Sequence, residues 1–223
     1  YGSLGVQLEQ TVASLARAGF GDGGRIAMLL PNGPEAAVAT IAVAAHATCV
    51  PLNPAYGEDD LRFYLEDSGA DALIVPSGDT GPGRRVAASL GLAVIDLSFD
   101  PSWPAGRFVL DVSRSSTREP PAPGTVRTDR DVALILHTSG TTARPKIVPL
   151  SQANLARSAQ AIARHLALSP GDRGLHVMPL FHIHGLVGSL LASIAAGASL
   201  VCTPGFDDER FFEWVAAFEP TWY

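Results

Sequence analysis

Charge of one sign, cysteine, aromatic rings and an uninterrupted apolar run are all scarce in this chain of 223 residues. Its 16 Lys and Arg against 22 Asp and Glu give a net charge of −6, and no basic cluster overrides that balance, so a nucleic-acid partner is not expected. Two cysteines, Cys49 and Cys202, each lie in an apolar run, where a small buried thiol in a reducing compartment is the ordinary expectation. The longest weakly polar stretch, Gly185 to Cys202, contains Gly185, Gly188 and Gly197 and has no basic or aromatic flanks, so it reads as a helix followed by a strand rather than a membrane span. The opening YGSLGVQLEQ has neither a basic leader nor an apolar signal core. A soluble, cytoplasmic protein is the expectation.

What is present is apolar material for a core, 47% of residues, in short runs that alternate with helical patterns. That alternation predicts an α/β fold with mostly parallel sheets and helices on both faces. Arg25 to Leu30 reads as a strand, closed by Pro31-Asn32-Gly33-Pro34, with an alanine-rich helix from Glu35. Cys49 to Leu52, Ala72 to Val75 and Ala93 to Leu97 read as further strands, with helices over Glu58 to Ser68 and Arg84 to Leu90. Between Phe99 and Arg130 five prolines break the pattern, which predicts a linker or irregular crossing over 99–130 between a first lobe, 1–98, and a second, 131–223. In the second lobe the predicted strands are Val132 to Leu136, Ile147 to Leu150, Leu175 to Met178 and Ser199 to Cys202. The helices there run from the cap Ser151 to about Leu166, from Gly185 to Ala196, and from Asp207 to Phe218. The final Glu219 to Tyr223 reads as the approach to another strand, so a truncated domain is expected.

The run TSGTTARPK, Thr138 to Lys146, carries the chemistry. Four hydroxyls (Thr138, Ser139, Thr141, Thr142) and backbone N–H groups can donate to phosphate oxygens, Gly140 allows close approach, and Lys146 supplies a point charge. Pro145 fixes φ just before that lysine. The competing reading is a hydroxyl-rich surface turn between two strands. It is not a Walker A loop, because no glycine precedes Lys146 and no Ser or Thr follows it.

TSGTTARPK closely resembles the signature of the adenylate-forming superfamily, T-S-G-T-T-G-x-P-K-G, shared by acyl-CoA synthetases, luciferases and peptide-synthetase adenylation domains. Ala143 and Ile147 stand where that pattern commonly has glycine; alanine disfavours φ > 0 by roughly 1 kcal/mol. IAMLLPNGPE, VPLNPAY at Val50 to Tyr56, YLEDSGADALI at Tyr64 to Ile74 and MPLFHIHGL at Met178 to Leu186 resemble further landmarks of the family's large N-terminal domain, in order. The resemblance implies ATP with Mg2+, a carboxylic acid of fatty or aryl type, and CoA as acceptor. Ser139, Gly140, Thr141, Thr142 and Lys146 would hold the outer phosphates. Phe181, His182, His184 and Gly185 would form the acyl pocket, with His182 beside the carboxylate and adenylate as the catalytic candidate.

Two other readings of the histidines stay open, packing residues ahead of a buried helix and a zinc pair at i, i+2, although no further Cys or His lies at supporting spacing. His184, with the Pro-Leu-Ser run after Lys146, also resembles the oxalate–CoA ligase-like subgroup of 4-coumarate-type ligases, where a second polar group can hold the far carboxylate of a short diacid. The family's downstream acidic residue, ribose-binding aspartate and C-terminal lysine have no counterpart within these 223 residues, so the chain alone is expected to bind nucleotide weakly without turnover. A degenerate nucleotide-binding module and an adenylation domain loading a carrier protein remain alternatives.

Overall fold

A computed structural model describes residues 1–21, 23–112, 127–138 and 145–223. Helix α1 (Gly2–Arg17) leads into strand β1 (Arg25–Met28), α2 (Pro34–His46), β2 (Thr48–Pro51), α3 (Glu58–Ser68), β3 (Ala72–Pro76), α4 (Pro82–Ser89) and β4 (Ala93–Ser98). After β5 (Val109–Val112) come β6 (Val132–Thr138), β7 (Lys146–Ser151), α5 (Gln152–His165) and β8 (Arg173–His176). A π-helix (His184–Leu191), α6 (Ala192–Ala195), β9 (Ser199–Cys202) and α7 (Phe211–Phe218) complete the order.

Among the described residues the main sheet has the order β5-β4-β3-β1-β2-β6-β7. Its inner pairings are parallel, while β4–β5 and β6–β7 are antiparallel. Side chains alternate across it. Ile26, Met28 and Ile74 face α1, α2, α5 and the π-helix, whereas Ala27, Leu29, Leu73 and Val75 face α3 and α4. Both faces are therefore covered, as the apolar runs predict. A separate parallel pair, β8–β9, packs Leu175 and Val177 on Trp214 of α7.

Local chemistry explains the boundaries. Helix α3 begins with Glu58, Asp59 and Asp60 against the positive end of its dipole and ends at Gly69, whose φ of 61° suits glycine. Helix α5 carries a full capping box: Ser151 Oγ accepts from Asn154 N at 3.2 Å, and Ser151 N donates to Asn154 Oδ1 at 3.0 Å.

Several expectations need correction. The region 99–130 contains β5, which pairs with β4, and β6 pairs with β2, so one sheet runs across the expected crossing. Helix α1 was not anticipated from the opening residues. The expected strand at Leu175 to Met178 lies earlier, at Arg173–His176, because its alignment with β9 sets the register. The helix expected from Gly185 is a π-helix starting at His184, followed by a short α-turn; apolar spacing does not report which carbonyl each N–H chooses. The acidic start at Asp207 is a turn, its carboxylate accepting from the Glu209 and Arg210 amides at 3.1 and 3.0 Å, with helix only from Phe211.

Candidate active site

The sheet order β2-β1-β3-β4 places a change of winding direction beside β1, and ligands of open α/β sheets collect at strand carboxyl ends near such a point. Two sequence landmarks meet this edge. Strand β6 runs parallel to β2, so its last residue, Thr138, lies on the carboxyl side, and β7 starts opposite it with Lys146. Thr138 and Lys146 are the final rung of the hairpin and both are exposed; Thr138 Oγ1 is 3.5 Å from the Lys146 carbonyl, too long to constrain either residue. The expected phosphate-binding residues Ser139, Gly140, Thr141 and Thr142, with Ala143, lie outside the described residues. Lys146 is the only lysine among 16 basic residues in the sequence. A lysine here is therefore a departure from the chain's own habit of using arginine, and it supplies a compact cation rather than a planar fork.

Beneath the hairpin mouth, His137 Nε2 is 3.1 Å from Asp67 Oδ2 in α3, and its ring meets Tyr64 edge-on at 4.7 Å. Tyr56 stacks on Tyr64 at 4.7 Å, and burial, then contact with Tyr64, pushes its phenol above the usual tyrosine range. None of Tyr56, Tyr64, Asp67 and His137 stood out as a site residue. The signal available in the sequence was that Tyr56, Tyr64 and Asp67 lie inside landmark segments and His137 directly precedes one.

The second landmark, residues 178–184, docks on the end of β1. Asn32 donates from Nδ2 to the Met178 carbonyl at 3.0 Å and accepts from the Leu180 amide at Oδ1 at 2.9 Å. Phe181 closes a small cavity with Met28, Leu30 and Pro51, and its ring lies 4.5 Å from that of His182. His182 is exposed, in a turn where its amide donates to Pro179 O at 3.2 Å. Gly185 is there for space: a Cβ would sit 2.2 Å from the Pro179 carbonyl oxygen.

His184 lies elsewhere. It lines a cleft of about 580 Å³ between α5 and the π-helix, with Ile183, Val187 and Gly188 on one wall and Asn154, Ser158 and Ile162 on the other. Phe181, His182 and Gly185 are not among the lining residues of that cleft, so the four expected pocket residues divide between a sheet-edge group and His184 in the cleft. Among the described residues no three His, Cys, Asp or Glu gather where they would hold a metal ion. No described helix is long and apolar enough to cross a membrane.

A family model described as AMP-binding enzyme matches residues 1–223 in full. The chain belongs to the AMP-binding enzyme family. Within the AMP-binding enzymes it is similar to a probable CoA ligase of Humulus lupulus, 35% identical in a 222-residue alignment that covers 97% of this chain and 42% of that protein. It is also similar to the oxalate–CoA ligase of Saccharomyces cerevisiae, 36% identical over 219 residues, 89% of this chain and 40% of the relative. Among solved structures, the ATP-bound MatB of Rhodopseudomonas palustris superimposes with a TM-score of 0.79 at 26% identity, over 97% of this chain and 42% of that one. The chain thus spans about two fifths of the length of the relatives it matches.

Proposed function

We propose that the protein carrying this chain activates a carboxylic acid with ATP and passes the acyl group to CoA. The observation that carries this reading is the convergence at one sheet edge of the Thr138–Lys146 hairpin mouth and the docked Met178–His182 segment, supported by the relatives' description as CoA ligases.

An acid carboxylate oxygen attacks the α-phosphorus of ATP, the bond to the bridging oxygen breaks, and pyrophosphate leaves with both bonding electrons. The CoA thiolate then attacks the acyl carbon and AMP departs, leaving the thioester. For such transfers the protein mainly positions and neutralises charge. Lys146 meets the outer phosphates and the charge that builds on pyrophosphate, with Thr138 and the loop residues Ser139, Gly140, Thr141 and Thr142 donating hydrogen bonds beside it. An exposed lysine with no carboxylate partner among the described residues fits that task. Mg2+ would accompany the nucleotide; the described residues offer no ligand cluster for it.

His182 and Phe181 stand beside the reacting carboxylate, His182 orienting it. His184, with Asn154 and Ser158 across the cleft, contacts the far end of the acid. A short diacid is favoured by the relative named for oxalate. Two free cysteines are in keeping with a cytoplasmic enzyme.

The test is acid-dependent exchange of labelled pyrophosphate into ATP by the full-length protein, with titration of oxalate, malonate, hexanoate and 4-coumarate. Exchange with a short diacid is expected. Preference for hexanoate or 4-coumarate sinks the diacid assignment, and absence of exchange with every acid sinks the ligase reading in favour of a nucleotide-binding module.

A further inference from the structure

We infer that Asn32 is a positioning residue for His182, acting through the backbone of residues 178–180. The inference rests on the role given to His182 above.

The segment from Val177 to His182 belongs to no strand or helix, so its backbone needs partners from elsewhere. Asn32 supplies them from 146 and 148 positions away in sequence. Its amide offers one donor and one acceptor, and the Met178 carbonyl and Leu180 amide take one each. Pro179, between them, has no N–H to satisfy. Among the described residues no other side chain hydrogen-bonds the backbone of 178–182.

The constraint continues to His182. The Pro179 carbonyl accepts from the His182 amide at 3.2 Å, and the His182 carbonyl accepts from Leu186 at 3.0 Å, at the start of the π-helix. Gly185 lies against the same Pro179 carbonyl and fixes how close the helix comes. His182 is therefore held on both sides by backbone, and that backbone is tied to β1 through one side chain. Asn32 stands four residues past the end of β1, in the turn that leads into α2, so the centre of the sheet sets where the exposed imidazole stands. A shift of the segment by an ångström would move His182 off the carboxylate while leaving the Thr138–Lys146 hairpin in place.

The experiment is a double-mutant cycle on the full-length protein with Asn32→Ala, His182→Ala and the pair, read by pyrophosphate exchange and thermal unfolding. Asn32→Ala should lower kcat for exchange about tenfold with KM for ATP within about twofold. If Asn32 acts through His182, the double variant is no slower than His182→Ala alone. Multiplying losses, or a wild-type kcat in Asn32→Ala beside a slow His182→Ala, overturn this inference and leave the function reading intact. A wild-type rate in His182→Ala overturns the role of His182 and this inference together. If Asn32→Ala does not fold, Asn32→Asp keeps the acceptor for Leu180 N–H, loses the donor to Met178, and must show the same non-additivity.

Discussion

His137 and Asp67 are 70 positions apart in sequence, and their side chains meet at 3.1 Å directly under the hairpin that delivers Lys146. His137 is the residue before Thr138, so this contact ties the stem of the proposed phosphate loop to the last turn of α3. The Asp67 side chain is 40% exposed while that of His137 is 7%, and a pair with its carboxylate in water contributes modestly to global stability, about 1 kcal/mol. Its effect should therefore be local. Asp67→Ala is expected to raise KM for ATP about threefold to tenfold while leaving KM for the acid and the urea midpoint almost unchanged. Equal rises in both KM values would count against a role at the loop stem.

Lys146 should matter more. Removing a cation that meets developing charge costs on the order of 100-fold in rate, so Lys146→Ala is expected to slow pyrophosphate exchange by about that factor. Lys146→Arg keeps the charge but exchanges a point donor for a planar fork, and should recover only part of the loss. An unchanged exchange rate in Lys146→Ala would remove the lysine from the first half-reaction.

The main sheet was legible from sequence because its central strands are short apolar runs beside turn residues, as at Arg25–Met28 and Ala72–Pro76. Ser151 was legible as a cap because its chemistry is local, bonding three residues on. Features set by distant partners were not. Strand β5 is hidden among prolines and exists because its backbone completes the edge of β4. Asn32 read only as part of a turn, since its partners lie more than 140 positions away. The division of the histidines followed the same rule: two residues apart, His182 and His184 look alike in sequence, and the start of the π-helix sends His184 to a different wall.

Glycines in this chain separate into those that fill a contact and those that do not. A Cβ on Gly185 would sit 2.2 Å from Pro179 O, a backbone atom that cannot swing aside. Gly185→Ala is expected to destabilise by about 3 kcal/mol and to shift the 178–182 segment. Gly5, inside α1, has nothing within 4 Å of the same added atom, so Gly5→Ala should stabilise by up to about 1 kcal/mol through helix propensity. Chemical denaturation of the two variants side by side tests both statements, and similar midpoints would refute the packing role of Gly185.

His176 gives the fold an acid-sensitive point away from the hairpin. The residue is fully buried, its Nδ1 lies 2.8 Å from Ser189 Oγ, and its Nε2 has no partner among the described residues. Burial first, and the nearby His184 second, hold its pKa down to about 4 from 6.5. The folded protein therefore keeps this imidazole neutral at pH values where the unfolded chain protonates it. Stability from this site is intact above about pH 6.5, falls as pH drops through the window to about 4, and is fully lost below it. Between pH 7.5 and 4.5 the loss should be about 2 to 3 kcal/mol. Other groups titrate over the same range, so the comparison is with His176→Gln, which keeps a polar partner for Ser189 without an ionisable ring. The variant should lose less stability than the parent between the two pH values, by about that amount. Parallel pH profiles in urea denaturation would show that the buried imidazole is not what acid attacks.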